Sequence, residues 1–334
     1  MARERGVRMR LGIIGAGMIV KEFLPKLVKM EDVEVVAIQA RRLEVVRELC
    51  EANDVPHAVT SFEELVATGI DTVYVAVPNA LHHSYCKQAL EAGLNVVVEK
   101  PMCANLHEAQ ELADLARERG AFLFEAITAV HLPAFAKVQE WLGRIGKVKL
   151  VDCNFSQYSS RYDAFRAGTV APAFDPAQAG GALMDINLYN VHWVVDLFGA
   201  PQGITYFANV ERGIDTSGTL VLRYPGFLAT CVGAKDCAGP KLFAIQGIDG
   251  YISLDLNPGL VGMAHLRLND GTQEDFEEVY VDARVVPEFR AFADCIAQGD
   301  HERCDALLAK SLEVARVLTE ARMDAGIVFP ADEA

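Results

Sequence analysis

From residue 8 to about residue 126, short apolar runs alternate with amphipathic stretches. This alternation constrains the fold more than any single motif. Residues 10–14, 33–39, 72–77, 95–98 and 121–124 read as strands, each a mostly apolar run bounded by turn-forming residues. Residues 21–30, 43–52, 62–67, 81–92 and 106–119 read as helices, with apolar side chains returning every three or four positions. Strands separated by helices must run parallel and be covered on both faces. Right-handed crossovers then give a doubly wound α/β sheet. Ligands in such a sheet lie beyond the carboxyl ends of the strands, so the residues that follow each strand carry the functional information.

After the first strand comes Gly15-Ala16-Gly17-Met18-Ile19-Val20. A turn built on Gly15 and Gly17 lets the backbone approach a pyrophosphate, and the helix behind it offers N–H groups and a positive dipole end. Val20 stands where the third glycine of G-x-G-x-x-G would be. After the second strand an acidic residue would hold the ribose hydroxyls of NAD. The chain has Gln39-Ala40-Arg41-Arg42 instead. Arg41 and Arg42 suit a 2′-phosphate, which favours NADP while leaving NAD open. The plainer alternative is two solvated arginines in the first turn of a helix. After residues 72–77, Pro78 ends the strand, and Asn79 is placed either to cap the next helix or to touch the cofactor. After residues 95–98 come Glu99, Lys100 and Pro101. Opposite charges ending a buried run need either each other or a task. Lys100 falls where a nicotinamide would sit.

Length and charge narrow the classes. The 334 residues exceed one ordinary core and imply two domains. With 31 basic and 46 acidic side chains the net charge is −15, which argues against nucleic acid and anionic membranes as partners. The eight cysteines and eight histidines show no metal-ligand spacing, so no metal is expected and the thiols read as buried and reduced. Basic residues 3–10 followed by the apolar run 11–20 mimic a signal peptide, but that run holds three glycines and ends on Lys21-Glu22. No run reaches membrane-spanning length, and a cytoplasmic location is expected.

From about residue 127 the pattern changes. A helix at 133–142 and a strand at 147–158 lead into a polar, loop-like stretch at 159–179 and a long helix at 183–198. Strand-like runs follow at 203–211, 219–224, 227–234, 241–245, 251–254, 265–268 and 277–281, the later ones separated by turns at 249–250, 257–259 and 269–271. They predict a large, mostly antiparallel sheet, open on one face and helix-covered on the other. Helices at 287–298 and 305–325 close the chain. The expected division is a dinucleotide-binding Rossmann domain over 1–126 and an α/β domain over 127–334, with the last helices free to pack back on the first. Within Gly180-Gly181-Ala182-Leu183-Met184-Asp185, the glycine pair would let a helix end approach a ligand or the other domain. Asp185 and Tyr189 are four apart and share a helix face, and His192 would extend that row. An ordinary amphipathic helix with one buried tyrosine is the alternative.

Together these elements resemble the glucose–fructose oxidoreductase / inositol dehydrogenase / MocA-like (Gfo/Idh/MocA) family of NAD(P)-dependent oxidoreductases. The resemblance is carried by residues 12–19, Val77-Pro78-Asn79 with His82, residues 89–93, Glu99-Lys100-Pro101, Gly180-Gly181 with Asp185, and the closing segment from Glu288. It implies cofactor contacts from Gly15, Gly17, Met18, Ile19, Pro78, Asn79, His82, Glu99 and Lys100, to which the residue chemistry above adds Arg41 and Arg42. It also implies Lys100 as the catalytic lysine and Asp185 as the acidic partner in the substrate site. Tyr189 stands where many members carry histidine, as in the branch resembling dihydrodiol and some sugar dehydrogenases. In residues 125–133, Val130 and Leu132 replace an arginine and a histidine common in the family.

The implied reaction is hydride transfer between nicotinamide C4 and a secondary alcohol or carbonyl of a sugar, polyol, cyclitol or dihydrodiol-like molecule. Tyr189 and Lys100, with ordinary pKa values of roughly 10 and 10.4, are the candidate proton acceptors, and Asp185 would steady the lysine charge and hold the substrate hydroxyl. The resemblance also implies a homodimer or homotetramer joined through the open sheet. A non-catalytic dinucleotide or sugar sensor on the same fold is the competing class.

Overall fold

The computed structural model describes residues 8–255 and 259–333. The basic run at 1–7 and most of the turn expected at 257–259 lie outside the described residues. The chain forms two compact units and does not divide at one point. The first gathers the residues up to Cys103, His107–Ala126 and Ala283–Ala309. The second gathers Ala104–Leu106, Ile127–Asp282 and the residues from Lys310 on.

The first unit is built on a six-stranded sheet of β1 (Met9–Ile14), β2 (Val33–Gln39), β3 (His57–Val59), β4 (Thr72–Val75), β5 (Asn95–Glu99) and β6 (Leu123–Ala126). Their order is β3-β2-β1-β4-β5-β6 and every pair is parallel. That order reverses direction at β1, the crevice where dinucleotides bind in such sheets. Helices α1 (Met18–Leu27), α2 (Leu43–Glu51), α3 (Phe62–Ala67), α4 (His82–Glu91) and α5 (Leu106–Arg119) connect the strands. Local chemistry fixes their starts. At α3, the Ser61 hydroxyl accepts from Glu64 N while the Glu64 carboxylate accepts from Ser61 N, a reciprocal cap that satisfies two helix-end donors. Val20 is fully buried in the core with Leu11 and Ile13, so a packing side chain occupies the third-glycine position. The helix Val285–Gln298 (α9 in chain order) inserts Val285, Phe289 and Phe292 into this same core. Phe289 meets Tyr74 edge-on at 5.2 Å and Phe292 stacks on Phe124 at 4.5 Å. Each such fully buried side chain contributes about 1.5–3 kcal/mol, which explains why residues 283–309 belong to this unit.

The second unit carries α6 (Pro133–Trp141), β7 (Val148–Ser156), α7 (Tyr162–Arg166), α8 (Leu188–Phe198), strands β8 (Gly203–Glu211), β9 (Ile214–Tyr224), β10 (Phe227–Ala234), β11 (Leu242–Gly247), β12 (Gly250–Leu254), β13 (Met263–Leu268) and β14 (Gln273–Glu277). The last helix, α10 (His301–Asp324), follows α9. The eight strands lie in the order β14-β13-β12-β11-β7-β10-β9-β8. All pairs are antiparallel except β10 with β7. The two-residue period sorts the faces. One row of partners, Tyr206, Leu220, Cys231, Cys153, Phe243, Leu254 and Ala264, is buried throughout. Trp193 of α8 packs on that face, 4.8 Å from Phe243. Leu228, Leu150 and Tyr251 lie in a row on the other face, each more than two-fifths exposed.

Three expectations change. The stretch 159–179 is not plain loop, because it holds α7 and two 3₁₀ turns, Pro172–Phe174 and Pro176–Gln178. The last strand covers Gln273–Glu277 rather than 277–281, paired from Met263 to Arg267. The long helix at 183–198 begins as a π-helix over Leu183–Asn187.

Candidate active site

In the first unit, the turn after β1 is set by Gly15. Its φ is +127°, and a Cβ there would fall 2.2 Å from the Ala76 carbonyl oxygen, so only glycine fits between β1 and the end of β4. A Cβ on Gly17 would meet nothing within 4 Å. Gly17 is also the N-cap of α1 and brings no side-chain hydrogen bond to the helix end. Met18, the first helical residue, is 70% exposed. The positive end of α1 is thus open toward an anion. At the end of β2, Gln39 is buried and its Oε1 has no hydrogen-bond partner among the described residues, whereas Arg41 and Arg42 are exposed. A buried orphan acceptor beside two surface guanidinium groups fits a polar ligand with a phosphate better than a closed structural turn.

Asn79 does not cap α4. It opens a 3₁₀ turn, Asn79–Leu81, whose N-cap position is held by Pro78, and α4 itself starts at His82 without a side-chain cap. His82 is fully buried, with Nδ1 2.8 Å from the Pro101 carbonyl and Nε2 3.0 Å from that of Val77. The ring therefore joins the turn after β4 to the turn after β5 and does not project toward solvent. Both contacts could be donated only by a charged ring, yet burial lowers its proton affinity and outweighs the two carbonyls. The neutral ring donates to one of them.

Glu99 points inward. Its carboxylate is buried and accepts the Tyr74 hydroxyl. Burial raises its pKa despite Tyr74 and the neighbouring Lys100 charge. Glu288, on α9, is wholly buried and neither oxygen has a hydrogen-bond partner among the described residues. Burial, then the Glu99 charge, pushes its pKa well above the carboxylate range. Lys100 follows Glu99 at the strand end, only partly buried. Of the Glu99–Lys100 pair, the lysine is the member that keeps contact with the surface.

In the second unit, the glycine pair answers to packing. A Cβ on Gly180 would lie 2.7 Å from the Pro172 carbonyl oxygen, and one on Gly181, where φ is +107°, would lie 2.1 Å from Asp215 Oδ1. The pair seats the helix start on the unit's own backbone and on Asp215. That carboxylate is buried, accepts from Leu183 N at 2.6 Å and from Tyr206 Oη at 2.8 Å, and is pushed up in pKa by burial.

The π turn and α8 bury almost everything. From residue 181 to residue 196 only Asp185, Ile186 and Tyr189 escape burial. Tyr189 leans on Phe155, ring centroids 5.9 Å apart. His192 does not extend this row. It is buried, 3.3 Å from the Asp196 carboxylate, which also pairs with Lys310. A π turn places residues roughly five apart in hydrogen-bond register and recurs at functional sites. Here it leaves Asp185 and Tyr189 on one accessible stripe, while Asn187 is buried and donates to the Cys231 carbonyl at 2.9 Å.

Sequence reasoning missed Lys235. It directly follows β10, an ordinary-looking strand, and its ammonium lies 2.7 Å from Asp185 Oδ2 and 2.6 Å from the Ala173 carbonyl oxygen, 4.4 Å over the Phe174 ring. The Lys235 side chain is 3% exposed and that of Asp185 34%. Its one signal in the sequence is a charge directly after a mostly apolar run, the same signal that marked Lys100.

Comparison with known proteins agrees with this fold. Residues 9–127 match the model of an oxidoreductase family with an NAD-binding Rossmann fold, and residues 135–253 match the GFO/IDH/MocA C-terminal domain. The chain is 35% identical over 332 residues to scyllo-inositol 2-dehydrogenase (NADP(+)) IolU of Bacillus subtilis, covering 98% of this chain and 100% of that protein. It is 30% identical to mouse trans-1,2-dihydrobenzene-1,2-diol dehydrogenase over 344 residues, covering 97% and 99%. A 3-ketoreductase from Actinomadura kijaniata, solved with NADP and TDP-benzene, superposes with a TM-score of 0.83 at 25% identity, covering 95% of this chain and 98% of that one. The chain belongs to the Gfo/Idh/MocA family of NAD(P)-dependent oxidoreductases.

Proposed function

We propose that this oxidoreductase prefers NADP and acts on a cyclitol, a dihydrodiol or a related sugar, with Lys100, Asp185 and Tyr189 as its catalytic residues. The observation that carries the reading is the accessible stripe of Asp185, Ile186 and Tyr189 on an otherwise buried π–α segment. A tyrosine and a carboxylate exposed on one rigid element suit a small polyhydroxy substrate. The relatives named above supply the substrate class and the preference for NADP.

Bound NADP supplies the hydride acceptor or donor. Gly15, Gly17, Met18 and Ile19 would hold its pyrophosphate on the open end of α1, and Arg41 with Arg42 its 2′-phosphate. Pro78 and Asn79 would line the turn after β4. His82 would serve the same site by joining the turns after β4 and β5, while Glu99 is engaged inward by the Tyr74 hydroxyl. Tyr189 takes the proton of the reacting hydroxyl in oxidation and returns it in reduction. Lys100 serves as the catalytic lysine on the cofactor side, and Asp185 accepts a hydrogen bond from a substrate hydroxyl.

A panel of inositols, trans-dihydrodiols and hexoses, followed by nicotinamide absorbance with NADP⁺ and with NAD⁺, tests this reading. Turnover of a cyclitol or dihydrodiol with a lower KM for NADP⁺ supports it. Tight cofactor binding with no turnover across the panel contradicts it.

The exposed row of Leu228, Leu150 and Tyr251 supports assembly as a homodimer or homotetramer through this sheet. A monomeric mass by light scattering would contradict that. No described helix is long and apolar enough to cross a membrane. The eight free cysteines, seven of them buried, suit a reducing compartment such as the cytoplasm.

A further inference from the structure

Lys235 is a nearly dehydrated ammonium held by two oxygens on different elements, Ala173 O in the turn before the glycine pair and Asp185 Oδ2 on the π turn. A buried charge costs several kcal/mol unless it is paired, and here the pairing is supplied by Asp185 and the Ala173 carbonyl. Phe174 covers the ammonium from one side, and Asp215 lies close enough to feel its charge. The Lys235 backbone is fixed as well, its N–H donating to Thr216 O at 2.8 Å and its carbonyl accepting from Ser159 N at 2.9 Å. The cation therefore has little freedom to move, and Asp185, a third exposed, carries its hold to the accessible stripe.

We propose that Lys235 is a positioning residue that acts through Asp185, fixing the orientation of that carboxylate so that it accepts the substrate hydroxyl. This rests on the reading of Asp185 as a substrate ligand. Two elements that a substrate would otherwise have to organise, the 172–174 turn and the π turn, are locked before it arrives. Pre-organisation of this kind lowers the cost of binding and is felt in KM as well as kcat.

The test is a double-mutant cycle on the full-length protein with NADP⁺ and scyllo-inositol, or with trans-1,2-dihydrobenzene-1,2-diol if that is the diol turned over. Lys235→Met is combined with Asp185→Asn, and Lys235→Arg serves as the charge-retaining variant should the methionine variant fold poorly. Lys235→Met is expected to lower kcat/KM by about 30-fold or more in the wild-type background, mostly through KM, but by less than about 3-fold when Asp185 is already asparagine. Cofactor Kd by fluorescence titration stays within about 2-fold in every variant, because Lys235 acts on the substrate side only. Lys235→Arg, which keeps the ion pair, retains activity within about 5-fold. Equal losses from Lys235→Met in both backgrounds would overturn the proposal, as would no loss in the wild type. If Asp185→Asn alone leaves kcat/KM intact, the reading of Asp185 fails instead, and the two failures are told apart by that single variant.

Discussion

A Cβ at Gly181 would fall 2.1 Å from Asp215 Oδ1, and Gly181 adopts a φ of +107°. Steric and conformational demands therefore coincide at one residue. Gly181→Ala should destabilise the protein by about 2–4 kcal/mol and lower Tm by several degrees, since strain and overpacking add. Gly199 offers the control. Its φ is +74° but an added Cβ meets nothing within 4 Å, so Gly199→Ala should cost only about 1 kcal/mol. Thermal denaturation of the two variants side by side separates the clash from the backbone term.

Glu288 predicts a pH dependence of stability. Its folded pKa is raised by burial first and then by Glu99, with Glu125 adding to the rise and Arg284 opposing it. Glu99, facing it from β5, is raised too, against Tyr74, Lys100 and Arg284. A carboxyl raised on folding binds more protons in the native state, so it is neutral and tolerated near its unfolded pKa. Stability then falls as pH climbs from there toward the folded value. Glu288→Gln removes that slope. Urea unfolding between about pH 5 and pH 8 should show a gap between variant and wild type that widens with pH to about 1 kcal/mol or more in favour of the variant. A gap that does not change with pH would show that Glu288 is ionised in the fold.

Cys237 is the one exposed thiol of eight. Burial pushes Cys50 and Cys304 up to about 11, and Cys86, Cys103 and Cys153 higher still. An aromatic disulfide reagent should titrate one rapid equivalent in the native protein and the full set in denaturant, and Cys237→Ser should abolish the rapid phase.

The arginines after β2 predict a cofactor effect. Arg41→Ala and Arg42→Ala together should weaken NADP⁺ by about 10- to 100-fold while leaving NAD⁺ within about 3-fold, measured by fluorescence titration. Equal weakening of both cofactors would mean the pair serves the fold of α2 rather than a phosphate.

Most of the first unit was legible in the sequence because parallel strands buried on both faces leave nearly continuous apolar runs such as Val96-Val97-Val98. The strand β3 escaped because three residues, His57–Val59, at the edge of the sheet carry no period. In the second unit the two-residue alternation exposed the strands but not their partners. Nothing local says that β10 runs parallel to β7, because that pairing joins residues about eighty positions apart. The Asp185–Tyr189 stripe was visible as a four-residue spacing, whereas the π turn that isolates it, the burial of His192 and the grip of Lys235 on Asp185 all depend on packing between elements.

The central claim is that Lys100 and Tyr189 serve proton transfer in an NAD(P)-dependent reaction. It is tested most directly by the pH profile of kcat for Tyr189→Phe and Lys100→Met, with cofactor Kd measured on the same samples. The account predicts that each variant loses about 100-fold or more in kcat for NADP⁺-dependent oxidation, with the fall of activity toward low pH removed in Tyr189→Phe and cofactor affinity held within about 3-fold. An unchanged kcat and pH profile in both variants would contradict it.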